Sequence, residues 1–332
     1  MLQQSAPPKP FRSYRELSAL LIKRGMQITD VVRAERKLSQ VGYYRLSGFW
    51  YPCREFLRDA DDQVVICNVS RKPLRQNIFT PGTHFDAAFE IYLFDKKLRQ
   101  LMLDAIERIE VHVRSVIAHE VGYHDPLAYQ SSRFINPSQT RMFSNRQGRQ
   151  RNIWNEWLSR QTEQIGRSRD DSIEWHRLHG KAMPFWVVVE AWDFGTASKY
   201  FEILKDSYRN RISQRLGLRN AKVLKEWLQE INTLRNRCAH HCRIWNQVST
   251  NPLPTVPEKP YFQHLALDAN ARTRLYGLIA VIWYLVKAIG ANSKWISQVA
   301  DVIDSKPEVP GCPFTALGLP NEAGFPRQLF DI

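Results

Sequence analysis

One long stretch of helical periodicity constrains the fold of this 332-residue chain more than any other feature. In residues 85–121 the apolar side chains recur at intervals of three and four, which places them on one face of an α-helix. Charged residues such as Lys96, Lys97 and Glu107 fall mostly on the opposite face. The stretch therefore predicts one long amphipathic helix, with apolar positions at Phe89, Tyr92, Leu93, Leu98, Leu101, Leu103, Ile106, Ile109, Val113, Val116 and Ile117.

Most of the remaining chain is also predicted to be helical. Ser13 and Glu16 have the spacing of a capping box at a helix N-terminus. Gly195 is interpreted as a break between two helices, and Gly42 and Gly48 as sites of close helix approach. Further helices are predicted for residues 29–41, 154–165, 184–192, 220–241, 272–289 and 293–303, and a short one for residues 197–204.

Only one segment favours β-structure. Residues 60–81 are polar and β-branched and predict a small hairpin, whereas residues 133–151 have no periodicity and predict an exposed loop. We therefore expect an all-α fold, a helical bundle with an N-terminal helical extension and one small hairpin. The expected domains are an N-terminal helical region and connector (residues 1–82), a helical core (83–305) and a C-terminal tail (306–332).

The sequence favours a cytoplasmic protein. Its most apolar run, from Leu275 to Ile289, contains Lys287 and is shorter than the roughly 20 residues that a bilayer requires, so it predicts a buried helix. The five cysteines are scattered and make a poor disulfide framework, and the polar, proline-rich N-terminus does not resemble a signal peptide. We expect reduced cysteines and no association with a membrane.

The charge of the chain favours a polyanionic partner. Lys and Arg total 47 and Asp and Glu total 33, which gives a formal net charge of +14. Such an excess suits a nucleic acid, although a solvated surface explains it as well. The same two interpretations apply to a basic loop that either binds RNA phosphates or is merely solvated; its arginines are Arg141, Arg146, Arg149 and Arg151.

The candidate site lies near the end of the helix predicted for residues 220–241. Arg235, Asn236, His240 and His241 bring together a permanent cation, an amide and two imidazoles. Imidazole, with a pKa of about 6.5, can accept a proton from the 2′-hydroxyl of RNA and return one to the leaving group. A guanidinium stabilises the added charge on phosphorus, and the amide of Asn236 can position the phosphate or the histidine.

Spacing alone is weak evidence for such a site. Arg235 and His240 are five residues apart, or about 140° around a straight helix, so they converge best at a helix end or across a symmetric dimer. Arg114 and His119 have the same spacing inside the long helix, and we interpret that pair as structural. Cys238, His241 and Cys242 are possible zinc ligands, but three ligands on consecutive turns of one helix do not close a tetrahedral site. We expect neither a metal nor another cofactor.

Four ordered segments resemble one protein family. The segment from Leu234 to Asn246 resembles the C-terminal signature of the Abi-like proteins, which are AbiD/AbiF-type abortive-infection proteins of the HEPN superfamily. Three other segments resemble the same family in the same order, and together the four cover about residues 30–250. They run from Gly42 to Trp50, from Tyr92 to Arg99 with Ile106 to Glu110, and from Pro184 through Glu190 to Ser198.

The resemblance implies an all-α HEPN bundle and metal-independent endoribonuclease activity. The family's Arg-Asn-x-x-x-His motif falls on Arg235, Asn236 and His240, and His241 is the doubled histidine usual in the family. Family members act in phage defence or as toxins, some under the control of a small RNA antitoxin. HEPN nucleases bring two motifs together and this chain has one, which implies a homodimer with the active centre around its twofold axis.

Two alternatives accompany this interpretation. Glu190 is predicted to be a buried carboxylate that holds Arg235 or a histidine in place, or else one that is paired structurally in the core. The rival function is a non-catalytic RNA-binding protein that grips phosphate with the same cluster. A DNA-binding regulator is disfavoured because no recognition helix rich in base-reading side chains stands out.

Overall fold

The structure is a computed structural model that describes residues 8–144, 147–249, 251–256 and 258–332. The expected all-α fold is confirmed, since 60% of the structure is helical. Its residues form two compact units, one from Met1–Leu98 with Asp301–Phe325 and one from Arg99–Ala300 with Pro326–Ile332, considered over their described parts. The division into three domains at residues 82 and 305 stays a prediction.

The first unit contains three short helices, a small sheet and the first part of the long helix. The capping box is confirmed, because Ser13 Oγ accepts a hydrogen bond from the Glu16 amide at 3.3 Å while Glu16 Oε2 accepts one from the Ser13 amide at 2.7 Å. The predicted long helix is also confirmed. The elements are α1 (Tyr14–Lys23), α2 (Val31–Val41), α3 (Tyr43–Trp50), β1 (Arg54–Phe56), β2 (Arg75–Phe79) and α4 (Phe85–Gly122).

The sheet of this unit connects α1 to the turn after α3. Strands β1 and β2 are antiparallel, with Arg54 opposite Phe79 and Phe56 opposite Arg75. The amide of Phe79 donates to the carbonyl of Arg24 at 2.8 Å, just after α1 ends. Consequently Arg24, Arg54 and the strand β2 lie side by side. The apolar core beneath them consists of Leu21, Leu38, Leu46, Phe49, Trp50 and Phe85.

Gly42 has a different role from the predicted one. It joins α2 to α3 with a φ of 90°, a backbone conformation that residues other than glycine rarely adopt. A Cβ atom at this position would meet nothing within 4 Å. Glycine is therefore needed here for the turn and not for a close approach of two helices.

The described part of the second unit contains the rest of α4 and ten further helices. Helix α13 is largely buried, as the apolar run predicted, and no helix in the described part of the chain is long and apolar enough to cross a membrane. The helices are α5 (Ile153–Arg167), α6 (Asp171–Leu178), α7 (Phe185–Val188), α8 (Phe194–Ile203), α9 (Asp206–Arg215), α10 (Ala221–Ala239), α11 (Pro260–Leu265), α12 (Ala269–Arg272), α13 (Leu275–Ile289) and α14 (Trp295–Asp304), whose last four residues belong to the first unit.

An aromatic cluster packs α5 and α8 against the turn at Trp192, which directly precedes α8. The ring of Trp157 lies 4.7 Å from that of Tyr200 and 5.1 Å from that of Trp192, measured between centroids. The indole of Trp157 also donates to the carbonyl of Thr196 at 3.1 Å. Aromatic pairs at these distances add roughly 0.5–1.5 kcal/mol each beyond the burial of their area. The cluster therefore holds α8 rigidly beside α10, which packs against it.

Several local predictions are wrong for identifiable reasons. Gly195 does not break a helix: it lies in the first turn of α8, which Asp193 caps by accepting a hydrogen bond from the Thr196 amide at 2.7 Å. The hairpin predicted for residues 60–81 is present but begins earlier: β2 lies within that range, whereas its partner β1 lies before it. Residues 133–151, predicted to be a loop, contain a second hairpin, β3 (Phe143–Ser144) with β4 (Gln150–Arg151). Helices α6, α9, α11 and α12 were not predicted; α9 buries only Ile212 and Ser213 and so has no apolar stripe.

Candidate functional site

Helix α10 positions the candidate site through its buried apolar face. The side chain of Asn220 caps its N-terminus by accepting from the Lys222 amide at 2.9 Å. Its apolar positions recur at helical spacing and are buried against α8, α9 and α13. The opposite face is therefore directed to solvent, and it carries the polar motif at its C-terminal end. The buried residues are Leu224, Trp227, Leu228, Ile231, Leu234 and Cys238.

The two histidines lie where α10 ends. The amide of Cys242 donates to the carbonyl of Arg237 at 2.8 Å, and that of His241 donates to the carbonyl of Cys238 at 3.0 Å. This pair of bonds is a Schellman motif, with His240 at the C-cap and His241 in the left-handed conformation at a φ of 57°. Both imidazoles are exposed. The helix end thus presents two adjacent imidazoles to solvent in different backbone conformations.

Arg235 is held at the side of this helix end. Its Nε lies 3.9 Å from Oε2 of Glu110 on α4, and its Nη1 donates to Oδ1 of Asn236 at 3.4 Å. The side chain of Arg235 is 35% exposed and that of Glu110 is 14% exposed. The structure therefore brings Arg235 and Asn236 together, and places the two imidazoles one turn or more further along the same helix.

Glu110 is the carboxylate beside the motif, in a place where the sequence predicted Glu190. Burial raises the pKa of Glu110, against the opposing effect of the positive charges of Arg114 and Arg235. Glu190 is exposed, so the prediction that it is buried is wrong. The signal for Glu110 was a carboxylate next to buried Ile109 on the long helix, in a segment that carries the family resemblance.

Arg114 and His119 have separate structural partners. Nη1 of Arg114 donates to the carbonyl of Trp192 at 2.9 Å and to that of Val189 at 3.3 Å, beyond the end of α7. His119 is exposed, and its Nδ1 lies 2.9 Å from Nη1 of Arg215. These contacts agree with the interpretation of this pair as structural. Arg114 stabilises the turn that leads into α8 and contributes a second positive charge beside Glu110.

An open cavity of about 620 Å³ borders the same face of α10. Gln229, Asn232 and Thr233 line it from α10, and residues of α5 and α8 form the other walls. These positions fall on one stripe of the helix with Asn236 and His240, at intervals of three and four. The rise from Thr233 to His240 is about 10 Å. A polymer lying along this stripe would therefore pass from the cavity to the histidines.

The charges around the cavity are largely paired. Nη2 of Arg160 lies 2.8 Å from Oδ2 of Asp193, and Lys199 pairs with Glu202 at 3.0 Å. Burial opposes the ionisation of Asp193, but hydrogen bonds from Thr196 and Arg160 outweigh it and lower the pKa of that carboxyl. The cavity is therefore lined mainly by hydrogen-bonding groups, with little uncompensated charge.

The predicted basic loop contributes two residues to the wall of this cavity, Arg151 and Phe143. Arg151 lines the cavity and forms an ion pair with Glu156. Arg141 and Arg149 are exposed on the same hairpin, and Arg146 lies outside the described residues. Phe143, a residue that the sequence did not single out, also lines the cavity. Its signal was an aromatic residue within a basic stretch.

The comparisons with known proteins identify one family. A family model described as "Abi-like protein" matches residues 36–246, well over half of the chain. The match covers the long helix, the cavity and the whole Arg235–His241 cluster. Neither the curated proteins nor the solved structures gave a match.

We expect His241→Gly to stabilise the protein slightly. The left-handed conformation costs a side-chain-bearing residue roughly 1–2 kcal/mol, and glycine loses roughly 0.5–1 kcal/mol more chain entropy on folding. The free energy of unfolding should therefore rise by about 0.5 kcal/mol, measured by urea denaturation. His240→Gly, at a C-cap with φ of −87°, is the matched control and should destabilise. A loss of stability in His241→Gly equal to that of the control would contradict the assigned conformation.

We expect Glu110→Gln to change how stability depends on pH. Because the pKa of Glu110 is raised, the folded protein keeps this proton at pH values where the unfolded chain has lost it. The free energy of unfolding of the wild type should therefore fall, relative to Glu110→Gln, as the pH rises from about 4 towards 7. Urea denaturation across this range measures the difference. Exposed Glu107, one turn earlier on α4, provides the control Glu107→Gln; equal behaviour of the two variants would contradict the assignment.

Proposed function

We propose that this chain, which belongs to the Abi-like protein family, is a metal-independent endoribonuclease whose catalytic groups are Arg235, Asn236 and the histidines at positions 240 and 241. Membership of this family implies a role in abortive infection, a form of phage defence. Cleavage of RNA is the activity that explains such a role most directly with these side chains. We further propose that the helical core is of the HEPN type.

The observation that carries the proposal is the arrangement at the end of α10. A guanidinium supported by a partly buried carboxylate precedes two exposed imidazoles by one turn or more, on a helix whose other face is fixed in the core. Arginine offers five donors in a planar fork that matches two phosphate oxygens. The exposed position suits a polymeric substrate, which needs no enclosed pocket to reach the reacting groups.

The chemistry is an attack of the RNA 2′-oxygen on the adjacent phosphorus. One imidazole accepts the 2′-hydroxyl proton as the new O2′–P bond forms, and Arg235 stabilises the negative charge that develops on the phosphoryl oxygens. The P–O5′ bond breaks, and the leaving O5′ receives a proton from an imidazolium. The products are a 2′,3′-cyclic phosphate and a 5′-hydroxyl. Either His240 or His241 suits the proton transfers, and Asn236 positions the phosphate or the imidazole.

Glu110 acts as a positioning residue in this scheme. Its ion pair with Arg235 restrains a long side chain that would otherwise sample many rotamers. Since the separation is 3.9 Å, the pair leaves the guanidinium donors able to turn towards a phosphate. The cavity beside α10 gives the flanking nucleotides a place to bind through the amides of Gln229 and Asn232.

We propose that two copies of the chain form the complete active centre. The chain carries one credible motif, and proton transfer to and from the substrate is served by imidazoles on opposite sides of the phosphate. A twofold axis near the ends of two α10 helices would bring Arg235 and His240 of each copy to one site. A small RNA antitoxin stays a prediction.

Alanine substitutions at the motif should abolish RNA cleavage without unfolding the protein. We expect His240→Ala to lower the rate roughly 10²–10⁴-fold and Arg235→Ala roughly 10²–10³-fold, the usual effects of losing a proton-transfer group and a charge-stabilising donor. Cleavage is measured with a chelator present, and the ends are tested for 2′,3′-cyclic phosphate. His264→Ala and Arg167→Ala, which change exposed residues in the last turns of α11 and α5, serve as matched controls.

The outcome separates the two function classes. Variants as active as the controls would sink the assignment of these residues. If the wild-type protein binds RNA tightly and releases no cleaved product, the function is instead non-catalytic RNA binding.

The dimer makes a separate prediction about concentration. If the active centre needs two copies, the specific activity of the wild type should rise with protein concentration and level off where sedimentation shows a dimer. Arg235→Ala should follow the same monomer–dimer profile as the wild type while staying inactive. A monomer that retains full activity at concentrations well below dimerisation would rule out the shared centre.

A further inference from the structure

The aromatic segment around α3 lines a cavity that the proposed nuclease chemistry does not use. This cavity, of about 680 Å³, lies entirely within the first unit. We call it the tyrosine–arginine groove, and its principal lining residues are Tyr43, Tyr44, Tyr51, Arg12, Arg24 and Arg54. Two of the tyrosines belong to the segment from Gly42 to Trp50 whose role the sequence left unexplained. The groove combines aromatic faces with cations.

The charge of the groove is unusually one-sided. Lys9 lines it together with the three arginines, and no Asp or Glu is among the described residues that line it. Arg24 and Arg54 hydrogen-bond to neutral groups instead, the first to Tyr43 Oη at 3.2 Å and the second to Asn77 Oδ1 at 3.3 Å. In the cavity beside α10, by contrast, the cations are paired with carboxylates. A cationic groove of this kind is an attractive site for an anion.

The positive charge of Arg54 in particular faces no carboxylate among the described residues that line the groove. Its Nε is buried and has no hydrogen-bond partner in the structure. Burial lowers the pKa of Arg54, and the nearby positive charge of Arg24 acts in the same direction. Leaving a buried guanidinium donor unsatisfied costs roughly 1–3 kcal/mol. A phosphate bound in the groove would offset the positive charge of Arg54 and relieve the repulsion between the two guanidinium groups.

The exposed tyrosines indicate that an aromatic group accompanies the anion in the groove. Tyr44 is 68% exposed and Tyr51 is 43% exposed, although both rings are large enough to be buried in a core. Lys9 and Arg54 already lie near the faces of these two rings, at 5.8 and 5.6 Å from the centroids. Exposed aromatic rings between cations are the arrangement on which bases of single-stranded nucleic acids stack while the backbone follows the charges.

The groove extends beyond a single nucleotide. A second cavity of about 730 Å³ adjoins it and shares Phe11, Arg12 and Arg24 as walls, while Lys23 adds a further cation. Phe11, between the two cavities, is almost fully exposed. Glu16 is the one carboxylate among the described residues that line this second cavity, and it is already bonded to Ser13 in the capping box. Two adjoining cavities with a shared cationic wall suit a strand of several nucleotides.

We propose that the tyrosine–arginine groove binds nucleotide units of a single-stranded nucleic acid, with phosphates on Arg12, Arg24 and Arg54 and bases stacked on Tyr44 and Tyr51. This function is independent of cleavage at Arg235. It gives the chain a second nucleic-acid contact, in the unit that does not contain the motif. Recognition there is by stacking and charge, so it tolerates many sequences.

The test measures binding of a short fluorescent 2′-O-methyl RNA to the full chain by anisotropy. This RNA lacks the attacking hydroxyl, so binding is observed whether or not the protein is a nuclease. We expect Tyr44→Ala to weaken binding about 5- to 100-fold, the usual loss of one stacking partner. The double variant with Arg12→Gln and Arg24→Gln should reduce the slope of log K against log salt concentration by about 0.7 per lost phosphate contact.

Matched controls lie in the same unit. Tyr14→Ala removes a half-exposed tyrosine that does not line the groove, and the double variant with Arg36→Gln and Lys72→Gln removes two exposed cations elsewhere. Both should bind as the wild type does. The urea unfolding midpoints of Tyr44→Ala and Tyr14→Ala should agree, since neither side chain is buried.

Three results would overturn the proposal. The first is equal binding by groove variants and controls. The second is displacement of the RNA by a mononucleotide as effectively as by the oligonucleotide, which would assign the groove to a free nucleotide. The third is binding to vesicles of anionic lipid that the groove substitutions abolish while RNA binding is unchanged. A 2′-deoxy oligonucleotide that binds equally well would support the proposal and show that the groove does not read the 2′-position.

Discussion

The burial of the apolar face of α10 is the constraint on which the candidate site depends. Its buried residues fix the rotation of the helix about its axis, and this rotation decides which side chains reach solvent. Gln229, Asn232, Asn236 and His240 share the outer stripe because they are spaced at three and four residues. Arg235 lies beside this stripe and reaches Glu110 on α4. The chemistry of the motif is thus set by packing on the opposite side of the same helix.

The fold was largely predictable because most helices of this chain have apolar residues that recur at helical spacing. Helix α4, with its apolar stripe, was predicted to within a residue of its end, and the capping box fixed the start of α1. Helix α9 was missed because its sequence is almost entirely polar and its position depends on neighbours that cover Ile212. Gly195 was misread because the capping bond from Thr196 to Asp193, which starts α8, depends on a side chain two residues earlier.

The sequence proposed the residues of the candidate site but not the contacts that support them. The motif residues follow from chemistry and family resemblance, both of which are written in the sequence. The partner of Arg235 is not, because Glu110 and Arg235 are far apart in the chain and meet only through the packing of α4 near α10. Glu190 was predicted to be buried because of its apolar neighbours. Arg114 instead hydrogen-bonds to backbone carbonyls of this turn, and the Glu190 carboxylate is exposed. The left-handed His241 was equally hidden, since most Schellman motifs carry glycine there.

The cations of the motif and those of the tyrosine–arginine groove differ in how far carboxylates neutralise them. Three cations at the motif and in the cavity beside it have carboxylate partners: Arg235 pairs with Glu110, Arg160 with Asp193 and Lys199 with Glu202. Compensated charges orient a substrate but contribute little to the salt-dependent attraction of a polyanion, because few counterions are released from the nucleic acid when they bind. The cations of the tyrosine–arginine groove face no carboxylate among the residues that line it. We therefore propose a division of roles for the net charge of +14: the groove supplies affinity for a nucleic acid, whereas the motif, with its paired arginine and exposed imidazoles, serves the chemical step.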